Sequence, residues 1–128
     1  MSIKEKLKVL IVDDTATSRG LICKSMEELG IKNFKAASDG QDALNNINQS
    51  PYHLVISDYN MPNMDGLALL KKIRTNAATH RTGFILITGA KDPDLINKGK
   101  KLGMNNFLQK PVTTEKLKAC MEAVIGPL

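Results

Sequence analysis

A chain of 128 residues makes one domain, long enough for one good core and too short for two. Its 42% hydrophobic and 24% charged content is ordinary for a globular protein, and no apolar run is long enough to span a membrane. The lysine-bearing start ends on two acids instead of a signal-type core, so a cytoplasmic protein without membrane insertion is expected. The formal charge of +5 is uneven, with 7 Lys/Arg against 8 Asp/Glu over residues 1–64 and 11 against 5 over residues 65–128. The basic half wants an acidic neighbour, but its lysines lie singly or in pairs and only two Tyr and no Trp could stack on bases, so a solvated basic face is expected and direct nucleic-acid binding is not.

Val9 to Val12 is the first apolar run of the kind buried in a parallel sheet, and it ends on Asp13-Asp14. Thr15 is placed to N-cap a helix whose apolar positions Ile22, Met26 and Leu29 recur at helical spacing until Gly30 stops it. Phe34 to Ala37 is a short second strand. Asp39-Gly40 then turns into a helix carrying Ala43, Leu44 and Ile47, and Ser50-Pro51 ends it. Leu54, Val55 and Ile56 run into Ser57 and Asp58, so a central strand aims one carboxylate at its own C-terminal edge. Met61-Pro62 breaks the backbone there, and Asp65-Gly66 turns and caps a helix on Leu67, Leu70 and Ile73. After a loop over 76–83, Phe84 to Ile87 is the fourth run and stops at Thr88. Residues 92–102 are helical by pattern, weakened by roughly 1 kcal/mol where Gly99 and Gly103 fall within the helix. Asn106 to Gln109 is the fifth strand, closed by Lys110-Pro111, and Thr113 or Thr114 caps a last helix on Leu117, Cys120, Met121 and Val124. Cys23 and Cys120, far apart and without ligand-spaced neighbours, read as core thiols.

Five strands alternating with five helices define an α/β fold, a doubly wound parallel sheet covered on both faces, with no linker or attached output domain expected in residues 1–128. Four strands finish on polar groups: Asp13-Asp14, Asp58, Thr88 and Lys110. Parallel strands bring these ends to one edge, and ligands of open α/β sheets bind outside that edge. At an effective dielectric of about 20 and a spacing of about 4 Å, each carboxylate pair repels by ~4 kcal/mol, so three pairs would cost ~12 kcal/mol. Lys110 alone cannot cancel that. The pocket should bind a divalent cation or keep a proton, and its hard oxygen donors favour Mg²⁺ over zinc, with open positions left to grip a phosphate.

The set VLIVDD, SDYNMPNMDG, LITGA and LQKP resembles the receiver domain of bacterial response regulators, and the length resembles the single-domain chemotaxis regulators of the CheY type. The resemblance covers essentially the whole chain. It implies a flavodoxin-like strand order 2-1-3-4-5, for which CheY is itself a standard example. It implies Asp58 as the phosphoacceptor. Mg²⁺ would be held by Asp14, Asp58 and the backbone carbonyl of Asn60, with Asp13 acting largely through a water. Lys110 would face the phosphoryl oxygens, and Thr88 would hydrogen-bond to one of them after phosphorylation. A cis peptide at Lys110-Pro111 belongs to the same pattern. The implied partners are a histidine kinase of the CheA type as phosphodonor and a flagellar motor switch protein as target, reached by a monomer. Such a protein catalyses only its own phosphorylation and dephosphorylation. One departure stands out: Phe107 occupies the place of a switch tyrosine, so switching there must use packing instead of hydrogen bonding.

Two other readings compete. A regulator of this kind can drain phosphate from another regulator instead of signalling, acting as a phosphate sink. Alternatively D-D-T-A-T over Asp13 to Thr17 resembles the nucleophile loop of haloacid-dehalogenase phosphatases, with Asp13 as nucleophile. That reading lacks a second acidic pair after Lys110 and leaves SDYNMPNMDG unexplained. Neither G-x-G-x-x-G nor a P-loop is present for a nucleotide binder, and His53 and His80 are lone and read as structural or surface residues.

Overall fold

In a computed structural model, which describes residues 3–128, the apolar runs become five parallel strands: β1 (Val9–Val12), β2 (Phe34–Ala37), β3 (Leu54–Asp58), β4 (Gly83–Thr88) and β5 (Asn106–Gln109). They form one sheet in the expected order β2-β1-β3-β4-β5. The three central strands are buried throughout, which is why their sequences are continuously apolar, whereas the edge strands β2 and β5 are partly exposed. Among the described residues there are six helices: α1 (Ile3–Lys6) precedes β1, α2 (Ala16–Glu28), α3 (Gly40–Gln49), α4 (Gly66–Thr75) and α5 (Pro93–Lys101) connect the strands, and α6 (Thr114–Ile125) follows β5.

Strand alternation sorts the core into two layers. Leu10, Val12, Val55, Phe84 and Leu86 pack with Ala43 and Ile47 of α3, Leu69, Leu70 and Ile73 of α4, and Leu95 of α5. Val9, Ile11, Leu54, Ile56, Ile85 and Ile87 pack with Ile22 and Met26 of α2 and Leu117, Cys120 and Met121 of α6. The register then decides what meets at the upper edge. Val12 pairs with Ser57, so Asp13 stands level with Asp58, and Asp58 pairs with Ile87 one residue before Thr88. Thr88 in turn pairs with Gln109, which places Lys110 one step beyond it.

Several local expectations need correction. A sixth helix exists: the single turn α1 is too short to carry a periodic pattern, and Leu7, 4% exposed, anchors the chain just after it. Thr15 occupies the N-cap position of α2, but its side chain makes no capping bond; its own N–H donates to Asp13 Oδ1 instead. In α4 the buried positions are Leu69, Leu70 and Ile73, with Leu67 only partly covered, because Gly66 starts the helix flush against the sheet. Gly103 does not lie within α5. It terminates the helix at φ +97, with its N–H donating to the Lys100 carbonyl and the Met104 N–H to the Gly99 carbonyl, the paired bonds of a Schellman end. Gly99 is buried, and a Cβ there would come within 2.7 Å of Met104 Sδ, so its absence of side chain is used for packing. The Asp39, Asp65, Asp92 and Thr113 caps each accept backbone N–H bonds in the first turn of α3, α4, α5 and α6. Cys23 and Cys120 are free thiols, Cys120 buried and Cys23 partly so; burial pushes the Cys120 thiol up to about 11.

Candidate functional site

Asp13 is fully buried and its carboxylate is fixed from two sides. Oδ1 accepts the Thr15 N–H at 2.9 Å, and Oδ2 accepts the Ser18 hydroxyl in a short bond. Arg19 Nη1 donates to the Asp13 carbonyl at 2.8 Å, tying the first turns of α2 to the end of β1. A carboxylate with both oxygens engaged is a poor nucleophile, which tells against the phosphatase reading.

Asp58 ends β3 with its side chain 6% exposed, and Lys110 Nζ approaches Asp58 Oδ2 to 3.3 Å from beyond β5. The carboxylate is desolvated while the Lys110 side chain remains 36% exposed, so the pair does not neutralise the site. Burial raises the Asp58 carboxyl above the usual carboxylate range; Lys110 pulls it back and the neighbouring Asp13 pushes it further up. Thr88 is 3% exposed and its hydroxyl donates to the Ala90 carbonyl at 3.1 Å, turned along its own loop. The peptide between Lys110 and Pro111 is cis.

Carboxylate oxygens of Asp13, Asp14 and Asp58 all lie within 4.8 Å of one another. This oxygen-only, multiply charged donor set fits a hard divalent cation such as Mg²⁺ better than zinc, which prefers nitrogen and sulfur donors. Asp14 is exposed, and water around it weakens its repulsion of the other two, so the three-pair cost expected from sequence is an overestimate. Asn60 is exposed in the β3–α4 loop two residues past Asp58. Phe107 is 36% exposed, standing outward from the edge strand instead of in the core.

Three features of the site escape sequence reasoning. Ser18 and Arg19 hold Asp13, and the only signal is a hydroxyl and a guanidinium in the first turn of a helix that follows two acids. Gly66 read as a turn residue, but its role is close approach: a Cβ there would stand 2.7 Å from the Asp58 carbonyl oxygen and 2.6 Å from Leu86 Cδ1. The loop is further pinned by Tyr59 N–H to the Ile87 carbonyl and Gly66 N–H to the Tyr59 carbonyl, at 2.8 and 2.9 Å. Beside the acidic pocket, a groove of about 530 Å³ runs between α2 and residues 110–112; Leu21, 60% exposed, lines it with Ile22, Pro111 and Val112.

Residues 9–122 match the response regulator receiver domain family. A Rhizobium etli protein named as a probable chemotaxis protein CheY is 48% identical over 128 residues, covering 100% of this chain and 99% of that one. The chemotaxis protein CheY-3 of Vibrio cholerae is 31% identical over 126 residues, covering 98% and 97%. Among solved structures, Vibrio cholerae chemotaxis protein CheY4 superposes with a TM-score of 0.87 at 30% identity, over 92% of this chain and 98% of that one. A receiver domain protein from Clostridium thermocellum gives 0.82 at 29% identity, over 93% and 94%. With these matches spanning the strands, the loops and the acidic edge alike, the chain belongs to the response regulator receiver domain family.

Proposed function

We propose that Asp58 accepts a phosphoryl group from a phosphorylated histidine of a CheA-type kinase, and that the chain then signals to a flagellar motor switch protein through a change at its surface. The observation that carries this reading is the desolvated Asp58 carboxylate, 3.3 Å from Lys110 and inside an acidic cluster that suits Mg²⁺. An ionised Asp58 oxygen attacks phosphorus, the phosphorus–nitrogen bond breaks, and its electron pair leaves with the imidazole. Lys110 directs positive charge at the transferring oxygens, and the Thr88 hydroxyl turns from the Ala90 carbonyl to one of them afterwards. Asp14, Asp58 and the Asn60 carbonyl would hold Mg²⁺, with Asp13 acting indirectly because both its oxygens are engaged. The metal, when bound, neutralises charge building up on the phosphoryl oxygens. The exposed Asn60, Gly89 and Ala90 leave the mouth open to water, so the phosphoryl group is lost by self-hydrolysis and its own turnover is the only reaction the chain catalyses.

Chemotaxis rests on the names of the Rhizobium and Vibrio relatives, and a monomer in the cytoplasm is the form that such a role needs. Among the described residues no helix is long and apolar enough to cross a membrane. The output surface is α5, β5 and α6, where Lys98, Lys100, Lys101, Lys116, Lys118 and Phe107 are exposed, as is Lys91 just before α5. Such a surface fits an acidic partner segment whose binding weakens with salt. When Thr88 moves inward, the Phe107 ring takes the vacated space, and the partner favours that state.

The phosphodonor domain needs apolar footing next to Asp58, and the Leu21 groove offers it. Leu21→Asp should therefore slow phosphotransfer from the phosphorylated kinase at least tenfold while leaving labelling by a small acyl phosphate unchanged. Equal loss with both donors would refute the docking, and failure of both donors on the unaltered chain would refute the phosphoacceptor itself. Phe107→Ala should leave Asp58 labelling intact and abolish the rise in partner affinity on phosphorylation; a rise that persists would refute the gate.

A further inference from the structure

Helix α5 is thinly attached, with only Leu95 and Gly99 of its nine residues buried, and its two ends are held in different ways. At the C-terminal end the Gly103 carbonyl accepts two bonds from one guanidinium, Arg74 Nε at 3.1 Å and Nη2 at 3.0 Å. The same Nη2 donates to Asn105 Oδ1 at 2.9 Å, and Nη1 donates to the Thr82 and His80 carbonyls at 2.6 and 3.1 Å. Asn105 Oδ1 also accepts the Phe84 N–H at 2.8 Å, and the Asn105 N–H donates back to the Phe84 carbonyl at 3.0 Å. One side chain thus joins the end of α4, the turn before β4, the Schellman end of α5 and the entry to β5. At the N-terminal end, among the described residues, the side-chain hydrogen bonds of residues 89–94 stay within α5's own cap or come from Thr88: Asp92 caps Asp94 and Leu95, and Thr88 Oγ1 reaches the Ala90 carbonyl.

We propose that Arg74 is a positioning residue that fixes the C-terminal end of α5 as a pivot, so that rearrangement at Thr88 and Ala90 swings only the N-terminal half of the helix. This rests on the reading of Asp58 as phosphoacceptor and Thr88 as its first responder. The asymmetry follows from chemistry. The guanidinium is a planar fork whose donors are all directed at fixed carbonyl and amide oxygens, and moving Gly103 would strand several at once. By contrast, a single hydroxyl–carbonyl bond links Thr88 to Ala90, and Thr88 Oγ1 is the atom that a phosphoryl oxygen would compete for. A helix free at both ends would shift as a body; one pinned by Arg74 converts a small displacement at residue 90 into a tilt that uncovers the ground between α5 and Phe107. Gly103 is part of the device, because a Cβ there would come within 2.9 Å of Arg74 Nε.

The test is amide hydrogen exchange, read by mass spectrometry on peptides covering 89–96 and 99–106, with Mg²⁺ present and with or without acetyl phosphate. Intact mass measured on the same samples reports the phosphorylated fraction. In the unaltered chain, exchange over 89–96 should change several-fold on phosphorylation while 99–106 stays constant. In Arg74→Lys, which keeps the charge but loses the fork, the phosphorylation-dependent change should spread into 99–106 at the same phosphorylated fraction. A purely structural Arg74 would instead raise exchange equally in both states, and that result overturns the proposal. So does a change over 99–106 in the unaltered chain as large as that over 89–96. A sample that gains no phosphoryl mass overturns the Asp58 reading itself, and the coupling with it.

Discussion

The lower and upper edges of the sheet treat polar groups in opposite ways. At the lower edge the Arg74 fork answers four oxygens, and the His53 ring accepts the Lys8 N–H at 2.9 Å while the His53 N–H donates to the Lys8 carbonyl at 2.9 Å. At the upper edge three carboxylates lie within 4.8 Å of one another and share one ammonium, 3.3 Å from Asp58. The edges share polar groups at strand ends and glycines at tight places, while the helix starts capped by Asp39, Asp65, Asp92 and Thr113 lie at the upper edge and helix ends such as Gly103 at the lower. What differs is that the chain itself answers the polar groups of the lower edge, whereas at the upper edge three carboxylates have one ammonium among them. Charge left uncompensated where the scaffold could have satisfied it is the mark of a site reserved for something that binds or reacts.

The contrast can be broken from above by filling the space on which the acidic pocket stands. Gly66→Ala places a methyl against the Asp58 carbonyl, which is backbone and cannot give way, so a loss of about 3 kcal/mol is expected in chemical denaturation. Metal sharpens it. If the upper edge is incomplete by one cation, Mg²⁺ at about a hundredfold over its dissociation constant should stabilise the chain by about 2.7 kcal/mol, and Asp58→Asn should remove most of that gain. From below, Arg74→Ala should cost about 2 kcal/mol by leaving backbone carbonyls unpaired, yet Mg²⁺ should bind the surviving folded protein with unchanged affinity. A shift in Mg²⁺ affinity would mean that the two edges are not independent in the resting state.

The smallest effect has the most informative sign. In metal-free buffer Asp58→Asn should stabilise the fold by about 1 kcal/mol, since it removes a buried like charge. The raised Asp58 carboxyl means that the native state holds a proton that the unfolded chain has already released. The stability this group contributes is full below the ordinary carboxylate pKa and is lost as pH rises through the raised value. The gap between variant and unaltered chain should therefore open as pH rises across that window. A gap that closes would place Asp58 in a net stabilising pair with Lys110.

The upper half of this contrast was legible in the sequence, because strands that end at Asp13, Asp58, Thr88 and Lys110 determine the edge at which those groups meet; the lower half was not. Element identity followed the periodicity for the five strands and for every helix but the single turn α1; Asp65 and Thr113 were legible as caps, whereas Asp39 read as a turn, Asp92 as part of its helix, and Thr15 does not cap. What was not legible depends on contacts between segments far apart in the chain. Ser18 and Arg19 look like ordinary first-turn residues until Asp13 is placed beside them. Gly103 looks like a weak point of a helix until Arg74, 29 residues earlier, is seen on its carbonyl. The choice between Leu67 and Leu69 turns on how close Gly66 brings α4 to β3, a distance that periodicity does not encode. The Asp14 charge was overweighted for a related reason: sequence places it next to Asp13 but cannot say that it looks into water.

If the upper edge is a phosphoacceptor site centred on Asp58, a small acyl phosphate should label that residue and no other. The chain should be incubated with acetyl phosphate, with Mg²⁺ and with the metal chelated, and the modified residue mapped by mass spectrometry of the digested protein after hydride trapping of the acyl phosphate. Label confined to Asp58, dependent on Mg²⁺ and absent from Asp58→Asn, is the predicted result. Label on Asp13, or label on Asp58 that is undiminished when the metal is chelated, would contradict it.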